Sequence, residues 1–531
     1  MKKKTVVVQS EFSKLATGYA RVGHGLLNEL HRSNKYNVIE YAFYCHPEDP
    51  RINSVPWTVL PAIPKKGDQA AMDEYNRVPT NVFGRMYFND VLLQTQADFL
   101  IGFTDPWYLD YLYKEPSYLD KVNFLYCATC DAVGLKHEWI NFAQQADKLF
   151  VYTDWSKQIF QEEGRLKVEC EVCPPSTEMM SPKDKLKCKE MLGLNPKTKM
   201  VTMVSRNQIR KHFPELIYAF KEFVEESGRD DIILHLHSGW PDNNGWDFPR
   251  IIMESGLGNR ILFTYKCECG NLFLHNFQGQ SAFCKACNGF GQLSNVSGAI
   301  SDSEMDIIYN AADLVMLVNS NEGCGLSVLN AASVGTPMAA TNYSATKSTI
   351  HKLGGYPIKI ESIREEIESG RKMAIPSMKS TKEVMREFFD LPDQIQKLKG
   401  IEARDNYVKN YSWEKVGKAY MKVIDEMDSK TTSNAGWNAP PNIQYPEEYK
   451  DMQIPNNEYA KWLIANVMKC PERLNTFYEL NLIEKLELGV SDGRQKIPYD
   501  RRTAYNEHAG FRMRLNQIEE QRIEFMRNNN G

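Results

Sequence analysis

What most constrains this 531-residue chain is a repeating order, in which short β-branched runs alternate with segments of helical period from residue 5 to about residue 425. Apolar runs at 5–8, 37–43, 98–103, 122–127 and 148–153 predict one series of strands, and those at 200–205, 231–236, 260–265, 313–318 and 337–341 a second. Between them, Leu216, Ile217, Phe220, Phe223 and Val224 recur at helical spacing over 214–227. Strands separated by crossover helices pair in parallel, and the helices then cover both faces of the sheet. Two such series predict an α/β protein of two doubly wound Rossmann-like domains. Pro174-Pro175 and Ser181-Pro182 interrupt the pattern and mark the joint, which gives domains at 1–178 and 179–426.

A second break falls at 429–446, where Thr431-Thr432-Ser433-Asn434 leads towards Pro440-Pro441. Residues 427–531 read as a linker and a helical, charge-balanced tail, suited to oligomerisation or partner docking. Hydrophobic residues at 42% and charged residues at 25% are globular values and exclude wholesale disorder. A formal net charge of -4 argues against bulk attraction to nucleic acid or anionic lipid as the main mode of action. No apolar run reaches the ~18 residues of a membrane span. Lys2-Lys3-Lys4 precedes only Thr5 to Val8, too short for the apolar part of a signal peptide. The expected location is cytoplasmic, with peripheral contact to a membrane left open.

Three segments suggest phosphate chemistry. The first strand runs into Thr17-Gly18-Tyr19-Ala20, where Gly18 lets the backbone approach a ligand at a helix start. Ser205-Arg206-Asn207-Gln208-Ile209-Arg210-Lys211 links a strand to the 214–227 helix. There a planar guanidinium (Arg206) and a mobile ammonium (Lys211) suit a diphosphate at a strand's carboxyl end. The third segment runs from Asn321-Glu322-Gly323-Cys324-Gly325-Leu326 to Gly335-Thr336-Pro337. Its two glycines bare backbone N–H groups, and Glu322 ahead of them is an acceptor suited to sugar hydroxyls.

The last run resembles the E-G-F-G-L-P-x-x-E-A-x-A-x-G-x-P signature of retaining glycosyltransferases of family 4, which have the GT-B fold. Other segments follow in the family's order: Arg206 to Lys211 looks like its R-x4-K clamp, and Tyr309 to Asp313 like its Y-x-x-A-D. Thr341 to Thr346 occupies the loop after the next strand, and Tyr411-Ser412-Trp413 opens a closing helix. The resemblance spans about residues 1–426. It implies two domains facing a cleft and transfer of a sugar from a UDP- or GDP-sugar with retained configuration and no catalytic metal. It also implies roles: Arg206 and Lys211 on the departing diphosphate, Gly323, Cys324, Gly325 and Leu326 along it, Glu322 on the sugar, and Gly18 approaching from the other domain. Two positions depart from the pattern. Asn330 stands where the family has a second glutamate, associated with the ribose, and Cys324 replaces Phe. A neutral amide holds hydroxyls less strongly than a carboxylate, so a catalytically degenerate module that binds a nucleotide sugar or glycan is the alternative.

On the acceptor side, Asp105 (in Thr104-Asp105-Pro106-Trp107) and Asp131 (in Cys130-Asp131-Ala132-Val133-Gly134) follow strands and face the expected cleft. Asp131 is the preferred contact for the acceptor or its proton, and His137 competes for that role. The acceptor itself (glycan, lipid, protein or nucleic acid) is not encoded.

Cys267-x-Cys269 and Cys284-x2-Cys287, separated by 14 residues, have the two-pair spacing of a structural zinc site. Four thiolates leave no open position for water, so the site reads as a staple within a zinc-ribbon insert at 266–297. Phe273, Phe277, Phe283 and Phe290 read as its miniature core, with base stacking as the competing role. Lys266 and Lys285 against Glu268 leave the insert only weakly basic, which is thin for nucleic acid.

Overall fold

The computed structural model describes residues 3–114, 118–164, 166–177, 181–294, 300–367, 369–430, 454–491, 496–510 and 512. The first sheet holds β1 (Thr5–Glu11), β2 (Asn37–Phe43), β3 (Thr58–Pro61), β4 (Phe99–Phe103), β5 (Asn123–Ala128), β6 (Lys148–Val151) and β7 (Cys170–Val172). Its order is β3-β2-β1-β4-β5-β6-β7, and every pairing is parallel. Central β1 owes its place to Val6, Val7 and Val8, all fully buried, as a strand covered on both faces requires.

The second sheet contains β8 (Lys199–Val204), β9 (Ile232–His237), β10 (Ile261–Cys267), β11 (Leu272–Asn276), β12 (Ser281–Cys284), β13 (Gly289–Leu293), β14 (Leu314–Leu317), β15 (Met338–Thr341) and β16 (Tyr356–Ile358). The order is β12-β13-β10-β9-β8-β14-β15-β16, with β11 also on β10. The chain therefore winds outward from β8 in one direction and then crosses to β14 on its other side. In the first sheet the same reversal occurs between β1 and β4. Ligands of open α/β sheets bind at such reversals, beyond the strands' carboxyl ends, and the Ser205–Lys211 and Asn319–Gly325 loops lie at the second one.

The expected helix over 214–227 is Phe213–Ser227, with Leu216, Ile217, Phe220 and Phe223 fully buried. The closing helix Trp413–Glu426, grouped by sequence with the second domain, packs on the first. A Cβ on Gly25 would lie 2.2 Å from the Trp413 ring, and Tyr420 stacks on Phe150 with centroids 4.0 Å apart.

The cysteine insert is less independent than a ribbon reading suggests, because its strands extend the second sheet. Phe273 and Phe277 pack against the apolar core of that domain. Phe283 and Phe290 do not: they are exposed and meet edge to face.

A hairpin of β17 (Ile360–Glu365) and β18 (Lys372–Pro376) was not expected from the sequence. It crosses to the first domain, where Lys372 N–H donates to Val133 O at 2.8 Å. In the tail, helices Asn456–Trp462 and Phe477–Leu488 share a separate small core that includes Tyr459, Leu463 and Leu482. The break expected at 429–446 falls, from 431 on, outside the described residues. No described helix is long and apolar enough to cross a membrane.

Candidate active site

The loop after β8 delivers Lys211 to the cleft, where it is nearly fully buried and forms an ion pair with Glu322. Burial, then the Arg210 guanidinium, lowers the affinity of Lys211 for its proton, and the Asp131 carboxylate opposes both. Arg210 donates to Asn321 O at 3.0 Å and to Glu322 Oε1 at 3.3 Å. Arg206 is not part of this cluster. Its Nε donates to Asp242 Oδ2 at 2.8 Å, and its side chain is 57% exposed on the rim. The structure brings Lys211 and Glu322 together, and the second cation beside them is Arg210, which the signature does not single out.

Glu322 is held from behind. Its N–H donates to Ser344 Oγ at 3.0 Å, and that hydroxyl donates to Glu322 O at 3.2 Å. The chain then turns through Gly325, whose φ of +82° is open to glycine at little cost, into the helix Leu326–Val334. No side chain caps that helix start, so its first N–H groups are open to an anion. Cys324 is buried, and Thr349 Oγ1 donates to its carbonyl at 3.1 Å. Asn330 donates to the Tyr309 hydroxyl at 3.3 Å, within its own domain.

The two domains meet at this turn. A Cβ on Gly323 would lie 2.2 Å from Thr129 Cγ2 of the first domain, and a Cβ on Gly18 would lie 3.6 Å from Leu326 Cδ1. Arg21, on the helix that Gly18 opens, pairs with Asp302 at 2.8 Å.

On the facing side, Asp131 is gripped by the second domain. Asn321 Nδ2 donates to its Oδ2 at 2.5 Å and Arg371 Nη1 to its Oδ1 at 2.8 Å. Arg371 also pairs with Glu366 at 2.9 Å and lies over the Trp139 ring at 5.8 Å. Asp105 accepts from the Tyr19 hydroxyl at 2.8 Å, and Tyr19 also reaches Thr129 Oγ1 at 3.1 Å. Burial raises the Asp105 carboxyl to about 7, with the Tyr19 hydrogen bond opposing and the Asp131 charge adding to the rise. His137, the other base candidate, is exposed on the first turn of the helix His137–Gln144. A recess of about 340 Å³, counting its open mouth, lies beside these acids. Trp107, Trp139, Phe160, Thr129, Asp131 and Arg371 are among the residues lining it.

Sequence reading missed Arg210, Asn321, Tyr19 and Arg371. The first three lie inside the quoted segments, each next to a residue singled out there: Lys211, Glu322 and Gly18. Arg371 carries no local signal, because a hairpin far along the chain brings it to the cleft.

Away from the cleft, the Sγ atoms of Cys267, Cys269, Cys284 and Cys287 all lie within 4.8 Å of one another. The Cys267–Cys287 and Cys269–Cys284 separations are 3.4 and 3.9 Å. Zn–S bonds of about 2.3 Å in a tetrahedron put sulfurs about 3.8 Å apart, so the four thiols fit such an ion. They are too far apart for disulfides, which need about 2.05 Å.

Residues 291–369 match the family model described as glycosyl transferases group 1. No curated protein matches the chain in sequence. Among solved structures, a glycosyltransferase from Rickettsia africae is 12% identical, with a TM-score of 0.56 over 80% of this chain and 99% of that one. Sucrose-phosphate synthase from Thermosynechococcus elongatus is 13% identical, at 0.56 over 80% and 98%. HepE from Anabaena, in complex with UDP-glucose, is 13% identical, at 0.54 over 80% and 100%. The chain has the two-domain GT-B fold of these structures, and its donor-side segment is similar to the group 1 glycosyltransferases.

Proposed function

We propose that this protein is a retaining glycosyltransferase that moves a hexosyl or pentosyl group from a UDP- or GDP-sugar to an acceptor hydroxyl. The observation that carries the reading is the meeting of Lys211, Arg210 and Glu322 at the uncapped start of the Leu326–Val334 helix. The Glu322 carboxylate satisfies the Lys211 ammonium in the structure. A bound donor replaces that contact: its diphosphate takes Lys211, Arg210 and the helix N–H groups, and its sugar hydroxyls take Glu322. As the anomeric carbon–oxygen bond to the diphosphate breaks, charge builds on the leaving oxygen, where these donors already point. The acceptor oxygen bonds to the anomeric carbon, and its proton passes to Asp105, whose affinity for a proton suits a base near neutral pH. Asp131, held in place by Arg371 and Asn321, orients the acceptor. Gly323 allows the domains to close and exclude water that would hydrolyse the donor. The complex of HepE with UDP-glucose supports a UDP-sugar donor.

The four cysteines hold a structural Zn²⁺ in this reading. The bound ion cross-links the insert and takes no part in sugar transfer.

The test is a thermal-shift screen of UDP, GDP and their sugars, followed by donor hydrolysis and transfer assays. A selective rise in melting temperature, with turnover abolished in Glu322→Ala and Lys211→Ala, supports the proposal. Tight nucleotide binding without turnover across a broad acceptor panel would favour the binding module, which the Asn330–Tyr309 contact makes the second reading: that amide is already engaged inside its own domain.

A further inference from the structure

The cysteine insert enters the fold at a telling place. β10 leaves the parallel sheet at its carboxyl end, the same end from which the Ser205–Lys211 loop departs. Along β10, β9 pairs with residues 261–263, β13 with 265–267, and β11 with 262–266. A strand has two edges and β11 overlaps both other partners, so β9 and β13 share one edge. The return strand of the insert therefore lies end to end with β9, and the residue that follows it, Ser294, stands in the row that β9 leaves at Ser238. The hydroxyls of both serines are fully buried and have no hydrogen-bond partner among the described residues. Unpaired buried hydroxyls are costly, and these two lie at the ligand-binding end of the sheet.

A second line of contacts runs from the insert to the donor loop. Phe277 packs at 5.0 Å from the Phe263 ring and meets Trp240 edge-on at 5.5 Å. Trp240 opens a loop that is bonded five times to the segment ending in Lys211. Arg206 reaches Asp242 at 2.8 Å, and Ile209 N–H reaches Asn244 O at 3.0 Å. The Asn207 amide exchanges bonds with the Trp246 backbone at 2.8 and 3.0 Å. The Trp246 indole donates to Lys211 O at 2.9 Å. The backbone position of Lys211 thus depends on a loop whose first ring rests on the insert.

We propose that Phe277 and Trp240 are positioning residues through which the zinc-bearing insert holds the donor clamp, so that metal occupancy and nucleotide affinity are coupled. This rests on the donor-site and zinc readings above. Without an ion, four neighbouring thiols no longer cross-link two short hairpins. Phe277 then loses its fixed seat, and the 240–246 loop loses its support. Linkage makes the effect reciprocal: bound nucleotide must tighten the metal by the same factor.

The experiment uses the full chain with zinc loaded, and UDP and GDP as probes in calorimetry. Zinc removal is expected to weaken the bound nucleotide about tenfold, within the usual range of such couplings. Saturating nucleotide is expected to slow zinc transfer to a chromogenic chelator. Phe277→Ala should keep one zinc per chain, raise the donor KM with a smaller change in kcat, and be rescued by Phe277→Leu. Equal nucleotide affinity with and without zinc, or wild-type affinity in zinc-loaded Phe277→Ala, overturns the coupling and leaves the donor reading standing. Failure of the zinc-loaded wild type to bind either nucleotide overturns the donor reading, and the coupling with it.

Discussion

Gly323 offers the sharpest perturbation of the closed cleft. A Cβ added there lies 2.2 Å from Thr129 Cγ2 of the facing domain, whereas carbon atoms pack at about 3.5–4.0 Å. Gly323→Ala therefore demands a retreat of about 1.5 Å. Thr129 has no inexpensive way to give it, because turning about its Cα–Cβ bond would take Oγ1 away from the Tyr19 hydroxyl, now at 3.1 Å. The domains must part instead. A misplacement of about 1 Å can cost about 100-fold in rate, or about 2.7 kcal/mol of barrier. Steady-state transfer should show kcat reduced by about that factor, with thermal stability close to wild type. Thr129→Ser removes the methyl and keeps the hydroxyl, so the double variant should recover most of the activity. Full activity in Gly323→Ala, or no recovery in the double variant, would refute the claim that this close approach belongs to the working state.

Asp105 should set a pH dependence. Its folded carboxyl titrates at about 7, above the usual ~3.9, so between those values the folded chain holds a proton that the unfolded chain lacks. Stability should fall as pH rises from about 4 to 7 and then level off, while the transfer rate rises through about pH 7 as the base form appears. Asp105→Asn should remove both trends, as seen in denaturation midpoints and a pH–rate profile. Arg210 and Arg206 should separate in nucleotide calorimetry. Arg210→Ala loses charge-assisted bonds worth about 1.5–3 kcal/mol, or roughly 10- to 100-fold in affinity. Arg206→Ala, exposed and already paired with Asp242, should cost less than about fivefold. Elemental analysis should find one zinc per chain, and Cys284→Ser should lose it together with several degrees of melting temperature.

Much of the fold was legible because the central strands of both sheets are short, apolar and buried on two faces, so their runs stand out. Edge strands such as β3 and β16 and the insert strands β11–β13 are only partly buried and did not stand out. β17 was not legible either: Ile360-Glu361-Ser362-Ile363-Arg364-Glu365 is exposed along its whole length, and no apolar face gives the alternation of a half-buried strand. Arg371 was hidden with it, since only that hairpin carries it to Asp131. The insert shows a different limit. Phe273 and Phe277 look like Phe283 and Phe290 in sequence, yet the first pair packs half-buried on the domain core and the second pair is exposed. In the donor loop, the spacing of Arg206 and Lys211 was visible but the direction of each side chain was not. The 240–246 loop, distant in sequence, turns Arg206 to the rim and leaves Arg210 beside Glu322.

A crystal structure of the protein with a bound nucleoside diphosphate tests the donor assignment most directly. Phosphate oxygens are expected within about 3 Å of Lys211 Nζ and of the first N–H groups of the Leu326–Val334 helix, with Glu322 released from Lys211. A diphosphate bound elsewhere, with the Lys211–Glu322 pair intact, would contradict it.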